Sequence, residues 1–194
     1  MHTAEQQVLV QKILDGDLKA FQELITLYQR LVIHIVSRFV TNREDQEELC
    51  HETFIKVYRN LSHFQSKAKL STWVGKIAYN LCINYMRKAK IPLYQDLETG
   101  DQAYEFVQIS DGAHTPEEIS EQKDLSYRIK ELIDNLPIQY KALLTMYHME
   151  ELSYKEIAEI TDLPEGTVKS YIFRARKLLK DKIIKQYQGE NLHL

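Results

Sequence analysis

"LSYKEIAEITDLPEGTVKSYIFRARKLL", residues 152–179, holds two helical patterns parted by a short break. Ser153, followed three residues later by Glu156, forms a capping box that starts the first helix, and Ile157, Ala158 and Ile160 give it an inner face. "TDL" makes the turn. Pro164 suits the first position of the second helix, where its missing N–H costs nothing. Turned at about 100° per residue, Val168, Ile172, Ala175 and Leu179 share one face of that second helix. Lys169, Ser170, Phe173, Arg174, Lys177 and Lys180 occupy the other, with Arg176 at the border. The apolar face packs inward, and the small Ala158 lets the two helices cross closely. The outer face carries cations for phosphates and short polar or planar groups for base edges. A helix laid in the major groove needs such a face. An ordinary amphipathic helix also has solvated lysines, but not this cap, turn and two-sided pattern together.

Composition does not explain the basic face, because the 194-residue chain carries a formal net charge of -3. The charge is unevenly placed. Residues 1–95 hold 13 Lys/Arg against 9 Asp/Glu, a net of +4. Residues 96–125 hold one Lys and nine acids, a net of -8, and residues 126–194 hold 11 bases and 10 acids, a net of +1. From Thr53 to Gln95 there is no acid, yet Lys56, Arg59, Lys67, Lys69, Lys76, Arg87, Lys88 and Lys90 all occur. From Thr167 to Lys185 seven bases face the single acid Asp181. Two separate runs of this kind favour a polyanion, bound by phosphate contacts and counterion release.

The rest of the chain is also helical in pattern. "AFQELITLYQRLVIHIVSRFV" places Phe21, Leu24, Leu27, Leu31, Ile35 and Phe39 at three- and four-residue steps. "TNREDQEELCHETFIKVYRNL" opens on Thr41 and Asn42 as cap candidates, with acids in its first turns. A break at "SHFQSKAK" precedes "LSTWVGKIAYNLCINYMRKAK", which stops before Pro92. Residues 92 to about 120 contain Gly100, Gly112, Pro92 and Pro116 without sustained periodicity, and read as a mobile acidic linker.

A hydrophobic fraction of 44% with 27% charged residues fits a soluble globular protein of one domain or two small ones. The start lacks a secretory signal and no apolar run reaches membrane-spanning length, so the cytoplasm is the expected compartment. Cys50 and Cys82 sit in apolar helical patterns and read as buried thiols, not a disulfide. His34, His51, His63, His114 and His148 are scattered, and no metal site is expected.

With these segments in view, the chain resembles a bacterial RNA polymerase sigma factor of the extracytoplasmic-function (ECF) group, over nearly its whole length. "HETFIKVYRNLSHFQSKAKLSTWVGKIAYNLCINYMRK" resembles the family's region 2, and "LPIQYKALLTMYHMEELSYKEIAEITDLPEGTVKSYIFRARKLL" its region 4. The short linker between them is also a mark of the group. The resemblance implies an all-α fold: a region 2 bundle over 1–92, an acidic linker over 93–122, a region 4 helix-turn-helix domain over 123–188 and a tail over 189–194. It implies a protein that binds core RNA polymerase, directs it to promoters and helps open the duplex. It also implies an anti-sigma partner, frequently membrane-bound.

Carried onto this chain, the resemblance assigns the duplex −35 element to Thr167, Lys169, Ser170, Tyr171, Phe173, Arg174 and Lys177. Many relatives carry Arg where this chain has Tyr171, and on the wheel Tyr171 lies at the edge of the buried face. There its ring can cover the core while its hydroxyl reaches a phosphate. The single-stranded −10 element falls to the loop residues Phe64, Gln65, Ser66, Lys67, Lys69, Ser71 and Thr72. Trp73, Lys76, Asn80, Asn84, Arg87 and Lys88 complete that set. Capturing an unstacked base needs hydrogen-bonding groups between stacking or apolar walls, and Phe64 and Trp73 offer walls. Trp73 reads equally well as core. Asp45, Glu48, His51, Glu52 and Phe54 match the surface that holds the polymerase. Relatives usually have Gln at the place of His51. No nucleophile–base pair, phosphate-cradling glycine loop or metal spacing points to an enzyme, a cofactor or a small-molecule substrate. The rival reading is a helix-turn-helix regulator that binds duplex DNA without joining the polymerase. The acid-free run from Thr53 to Gln95 speaks against it, since such a regulator needs no second nucleic-acid surface.

Overall fold

A computed structural model of the protein describes residues 3–89 and 131–190. Among the described residues all regular structure is helical. The elements are α1 (Thr3–Leu14), α2 (Leu18–Phe39), α3 (Arg43–Asn60), a 3₁₀ turn (Leu61–His63), α4 (Leu70–Lys88), α5 (Ile138–His148), α6 (Tyr154–Thr161) and α7 (Glu165–Glu190). One helical turn over 131–134 precedes α5. The linker expected over 93–122 lies outside the described residues, and the expected tail is described only to Glu190, where it continues α7.

Local chemistry sets the boundaries. Gly16 takes φ +92, a left-handed turn that favours glycine, and Asp17 then caps α2 by accepting the Lys19 and Ala20 N–H groups at 2.9 and 3.2 Å. Asn42 caps α3 in the same way, accepting from Glu44 and Asp45 at 2.8 and 3.2 Å. The start of α4 is held from a distance: the Leu70 N–H donates to the buried Gln6 side chain at 3.2 Å, tying α4 to α1.

The buried stripe of α2 runs through Leu24, Tyr28, Leu31, Val32, Ile35, Val36 and Phe39. It is rotated from the expected one: Leu27 is 47% exposed and Phe21 is only half-buried, its ring edge-on to Tyr58. Tyr28 takes the place expected of Leu27, four residues after Leu24 and four before Val32.

The two halves of the chain share one core. α4 packs on α6 and α2 on α5, while α7 closes over α5 and α6. At the seam a Cβ on Gly75 would lie 3.0 Å from Ile160 Cδ1 and 3.6 Å from Ile35 Cδ1. Gly75 of α4 thus makes a close helix crossing against α6, while Ala158, expected to permit one between α6 and α7, is half-buried and packs against the core. Ile160 is fully buried, a burial worth about 1.5–3 kcal/mol relative to an exposed side chain.

Candidate nucleic-acid interface

The helix-turn-helix is built as its sequence requires. Ser153 Oγ accepts the Glu156 N–H at 3.2 Å, and the Glu156 carboxylate accepts the Ser153 N–H at 2.8 Å. α6 ends at Asp162 in the left-handed conformation, φ 58° and ψ 23°. The Pro164 carbonyl accepts the Val168 N–H at 3.1 Å, so Pro164 stands at the N-cap of α7, one place earlier than expected.

The faces of α7 divide as the wheel predicts. Val168, Ile172 and Ala175 are fully buried, while Lys169, Ser170, Phe173, Arg174 and Lys177 are exposed and Thr167 is half-buried. Phe173 is 68% exposed, an apolar ring held in water beside Arg174. Lys169 bonds Glu165 at 2.7 Å and lies 5.6 Å over the Tyr154 ring. Its hydrogen bond to Glu165 raises its pKa, so it stays charged. Tyr171 departs from expectation. It is 5% exposed, its ring edge-on to Tyr140 with centroids 5.5 Å apart, and so belongs to the core and not to the exposed face.

A second cluster was not legible in the sequence. Tyr147 stacks on Tyr154 at 4.8 Å, and the Arg176 guanidinium lies 5.0 Å over Tyr147. Arg176 also donates to His148 Nε2, at 3.0 Å from Nη2. Burial and the Arg176 charge lower the His148 pKa, so at neutral pH its nitrogen remains an acceptor. These residues come from α5, α6 and α7, and no spacing along the chain announces their meeting.

On the N-terminal half, the loop before α4 passes through Ser66 at φ 53°, and Phe64 and Trp73 meet with centroids 5.4 Å apart. Trp73 is half-buried: it packs against the core and also lines an open pocket of about 380 Å³. Lys56, Asn60, His63, Ile77, Asn80, Leu81 and Asn84 complete that pocket. The structure thus brings Trp73, Asn80 and Asn84 together and adds Lys56 and Asn60 from the end of α3 and His63 from the 3₁₀ turn. Gln65, Lys67, Arg87 and Lys88 are exposed, and Ser66 and Ser71 half-buried. Thr72 is 2% exposed with no partner for its hydroxyl, which removes it from the accessible set. Lys69 and Lys76 are engaged by the other half, bonding Glu156 at 2.7 Å and Asp162 at 2.6 Å.

Along α3, Glu48 and His51 are exposed and Asp45 and Glu52 half-buried. Asp45 accepts the Tyr85 hydroxyl at 2.7 Å, and Glu52 pairs with Lys56 at 3.2 Å. Phe54 is buried at 9% exposure, so it supports this surface from beneath instead of forming it. Among the described residues, no helix is long and apolar enough to cross a membrane, and no three His, Cys, Asp or Glu side chains gather as a metal site would need.

Family comparisons agree with this geometry. The Sigma-70 region 2 model matches residues 24–91, and the Sigma-70, region 4 model matches residues 126–179. The ECF RNA polymerase sigma-E factor of Haemophilus influenzae is 36% identical over 179 residues, 91% of this chain and 94% of that protein. The ECF RNA polymerase sigma factor SigW of Bacillus subtilis is 33% identical over 178 residues, 90% of this chain and 94% of that protein. The fold is also that of CnrH in its complex with the cytosolic domain of CnrY, with a TM-score of 0.63 at 16% identity over 92% of this chain and 96% of that one. RpoE of Bartonella quintana, solved with the anti-sigma factor NepR, gives a TM-score of 0.62 at 21% identity over 84% of this chain and 96% of that one.

A helical region 2 bundle and a region 4 helix-turn-helix together define a transcription initiation factor of the sigma-70 class. Within that class, the chain belongs to the ECF RNA polymerase sigma factors.

Proposed function

We propose that this sigma factor binds core RNA polymerase and grips promoters at two points, with a different chemistry at each. The observation that supports the reading is a pair of separate surfaces, each suited in chemistry to nucleic acid. One is the convex face of α7, where Lys169, Ser170, Phe173, Arg174 and Lys177 project into water. That face suits a duplex groove at the −35 element. The other is a concave pocket on α3 and α4, walled by Trp73 and Ile77 and edged by Asn60, Asn80 and Asn84. That pocket suits an unstacked base of the opened −10 strand, with Lys56, Lys67, Arg87 and Lys88 to draw the backbone.

Glu48 and His51, with Asp45 and Glu52 beside them, form the polymerase-binding edge of α3. An anti-sigma protein is the expected regulator, and the whole cycle is cytoplasmic. A duplex-only regulator is not favoured, because it would leave the Trp73 pocket without a role.

The test is to add the purified chain to sigma-free core polymerase with a promoter library. Initiation from a defined subset of promoters is expected. Tight duplex binding without polymerase, combined with no initiation in its presence, would overturn the reading.

A further inference from the structure

The loop that leads into α4 is held at both of its ends by α1. Its near end is the 3₁₀ turn Leu61–His63, against which α1 packs. Leu61 is buried, and its carbonyl accepts the Phe64 N–H at 3.0 Å where the loop begins. The far end is Leu70, whose N–H donates to Gln6 Oε1 of α1 at 3.2 Å, across 64 positions of sequence. Between these points Gln65, Lys67 and Lys69 are exposed, and Ser66 stands at φ 53°. α1 is itself fixed by apolar packing on α2, with Leu9, Val10 and Ile13 buried.

The bond between Leu70 and Gln6 answers a need that Lys69 cannot meet. A helix N-terminus leaves its first N–H groups without partners in the helix, and a Ser, Thr, Asp or Asn at the N-cap ordinarily supplies an acceptor. α4 has Lys69 at that place, whose side chain has no acceptor and makes no cap bond. Leu70 is fully buried, so water does not stand in for the missing acceptor. Gln6 supplies it from α1 and is itself 8% exposed, a position that an amide side chain rarely takes. Trp73, three residues beyond Leu70, walls the pocket assigned above to the −10 strand, and its ring meets Phe64 at the loop's other end. The anchored Leu70 N–H therefore sets where the loop ends and where that wall begins.

We infer that Gln6 is a positioning residue for −10 recognition: as the cap that α1 provides for α4, it fixes the far end of the reading loop and sharpens its choice of base. The inference rests on the promoter reading above and adds a residue that lies outside every surface assigned there. Gln6 is buried and acts through Leu70, without touching DNA. Lacking its acceptor, the buried Leu70 N–H is unpaired, which favours opening of the first turn of α4. The loop then samples several shapes, and correct and incorrect −10 strands bind more nearly alike.

The full-length chain tests this with Gln6→Leu, which keeps the bulk of the side chain but not the acceptor, and Gln6→Glu, which keeps the acceptor. Each is added to core polymerase with a promoter on which the parent chain initiates. Versions of that promoter carry single base changes in the −10 element or, separately, in the −35 element. The readout is the ratio of initiation from the unchanged promoter to that from each version. Gln6→Leu is expected to lower −10 discrimination at least fivefold and leave −35 discrimination unchanged. Gln6→Glu is expected to stay within twofold of the parent at both elements. Faster amide hydrogen exchange over residues 64–72 is expected in Gln6→Leu alone. An unchanged helical circular dichroism spectrum identifies a folded variant. Should Gln6→Leu not fold, Gln6→Asn, which draws the acceptor back by one methylene, is measured, with at least a twofold loss at −10 expected. Unchanged −10 discrimination in the folded variant, or a parallel loss at both elements, overturns the positioning role. Failure of the parent chain to initiate, or to distinguish −10 sequences, sinks the promoter reading instead.

Discussion

Tyr171 of α7 packs edge-on against Tyr140 of α5, ring centroids 5.5 Å apart at 76°. The ring that interrupts the basic run therefore ties α7 to the helix beneath it. Replacing it with Arg would drive a guanidinium into a site that is 5% exposed. Tyr171→Arg and Tyr171→Ala are each expected to destabilise the protein, the Ala variant by about 3–5 kcal/mol, as read by urea unfolding. The salt slope of −35 binding measured on the folded fraction should not steepen. A steeper slope with unchanged stability would return Tyr171 to the DNA surface.

Arg174 is exposed one residue after the exposed Phe173. If it reads a base, Arg174→Ala weakens −35-dependent initiation by roughly 1–3 kcal/mol and relaxes preference at one position of the element. Transcription from a randomised −35 library measures both. An unchanged preference places Arg174 outside the interface.

The pocket beside Trp73 carries a separate prediction. Asn84→Ala removes one polar edge of that pocket and leaves α7 untouched. Loss of promoter opening is expected, seen as lost permanganate reactivity at −10, with the −35 footprint retained. Trp73→Ala should cost the captured strand about 1–3 kcal/mol. Simultaneous loss of both footprints would mean that the substitutions act on folding.

Acid should loosen the helix-turn-helix. Burial raises the Glu156 pKa, but the bonds from Lys69 and Ser153 more than offset this and leave it below its ordinary value of 4.5. A depressed carboxylate contributes stability that is fully present above its unfolded pKa and lost as pH falls through its folded value. Glu156→Gln should therefore lower the Tm at pH 7 and remove part of the fall in Tm seen on going below pH 4.5. Parallel melting curves for parent and variant across that range would refute the assignment.

Both thiols should be inert in the native protein. Burial, then the Glu47 charge, pushes Cys50 up to about 11. Burial, then the neighbouring Cys50, takes Cys82 to about 12, against a smaller opposing effect from a backbone hydrogen bond. Ellman's reagent at pH 8 is expected to titrate neither until denaturant is added. Rapid reaction of the native chain would contradict the packing of α3 on α4.

The parts of the fold that were legible in sequence are those fixed by neighbours along the chain. The Ser153–Glu156 box, the Asn42 cap and the two faces of α7 each follow from spacing within a few residues, and each stands where expected. The misplaced residues have a common cause. Leu27, Tyr171, Thr72 and Phe54 lie near the edge of a stripe, where a rotation of tens of degrees decides between core and surface. That rotation is set by partners distant in sequence, such as Tyr140 for Tyr171. The seam was invisible for the same reason: Lys76 and Asp162 are 86 positions apart, and each alone looks like a solvated charge.

The lone tryptophan gives the molecule a built-in optical probe. Trp73 is half-buried against the pocket wall, so excitation at its red edge, beyond the twelve tyrosines, reports on the N-terminal half alone. A base entering that pocket would stack near the indole and change its emission. Strand capture could then be followed in unlabelled protein, in real time and in the presence of a silent C-terminal half.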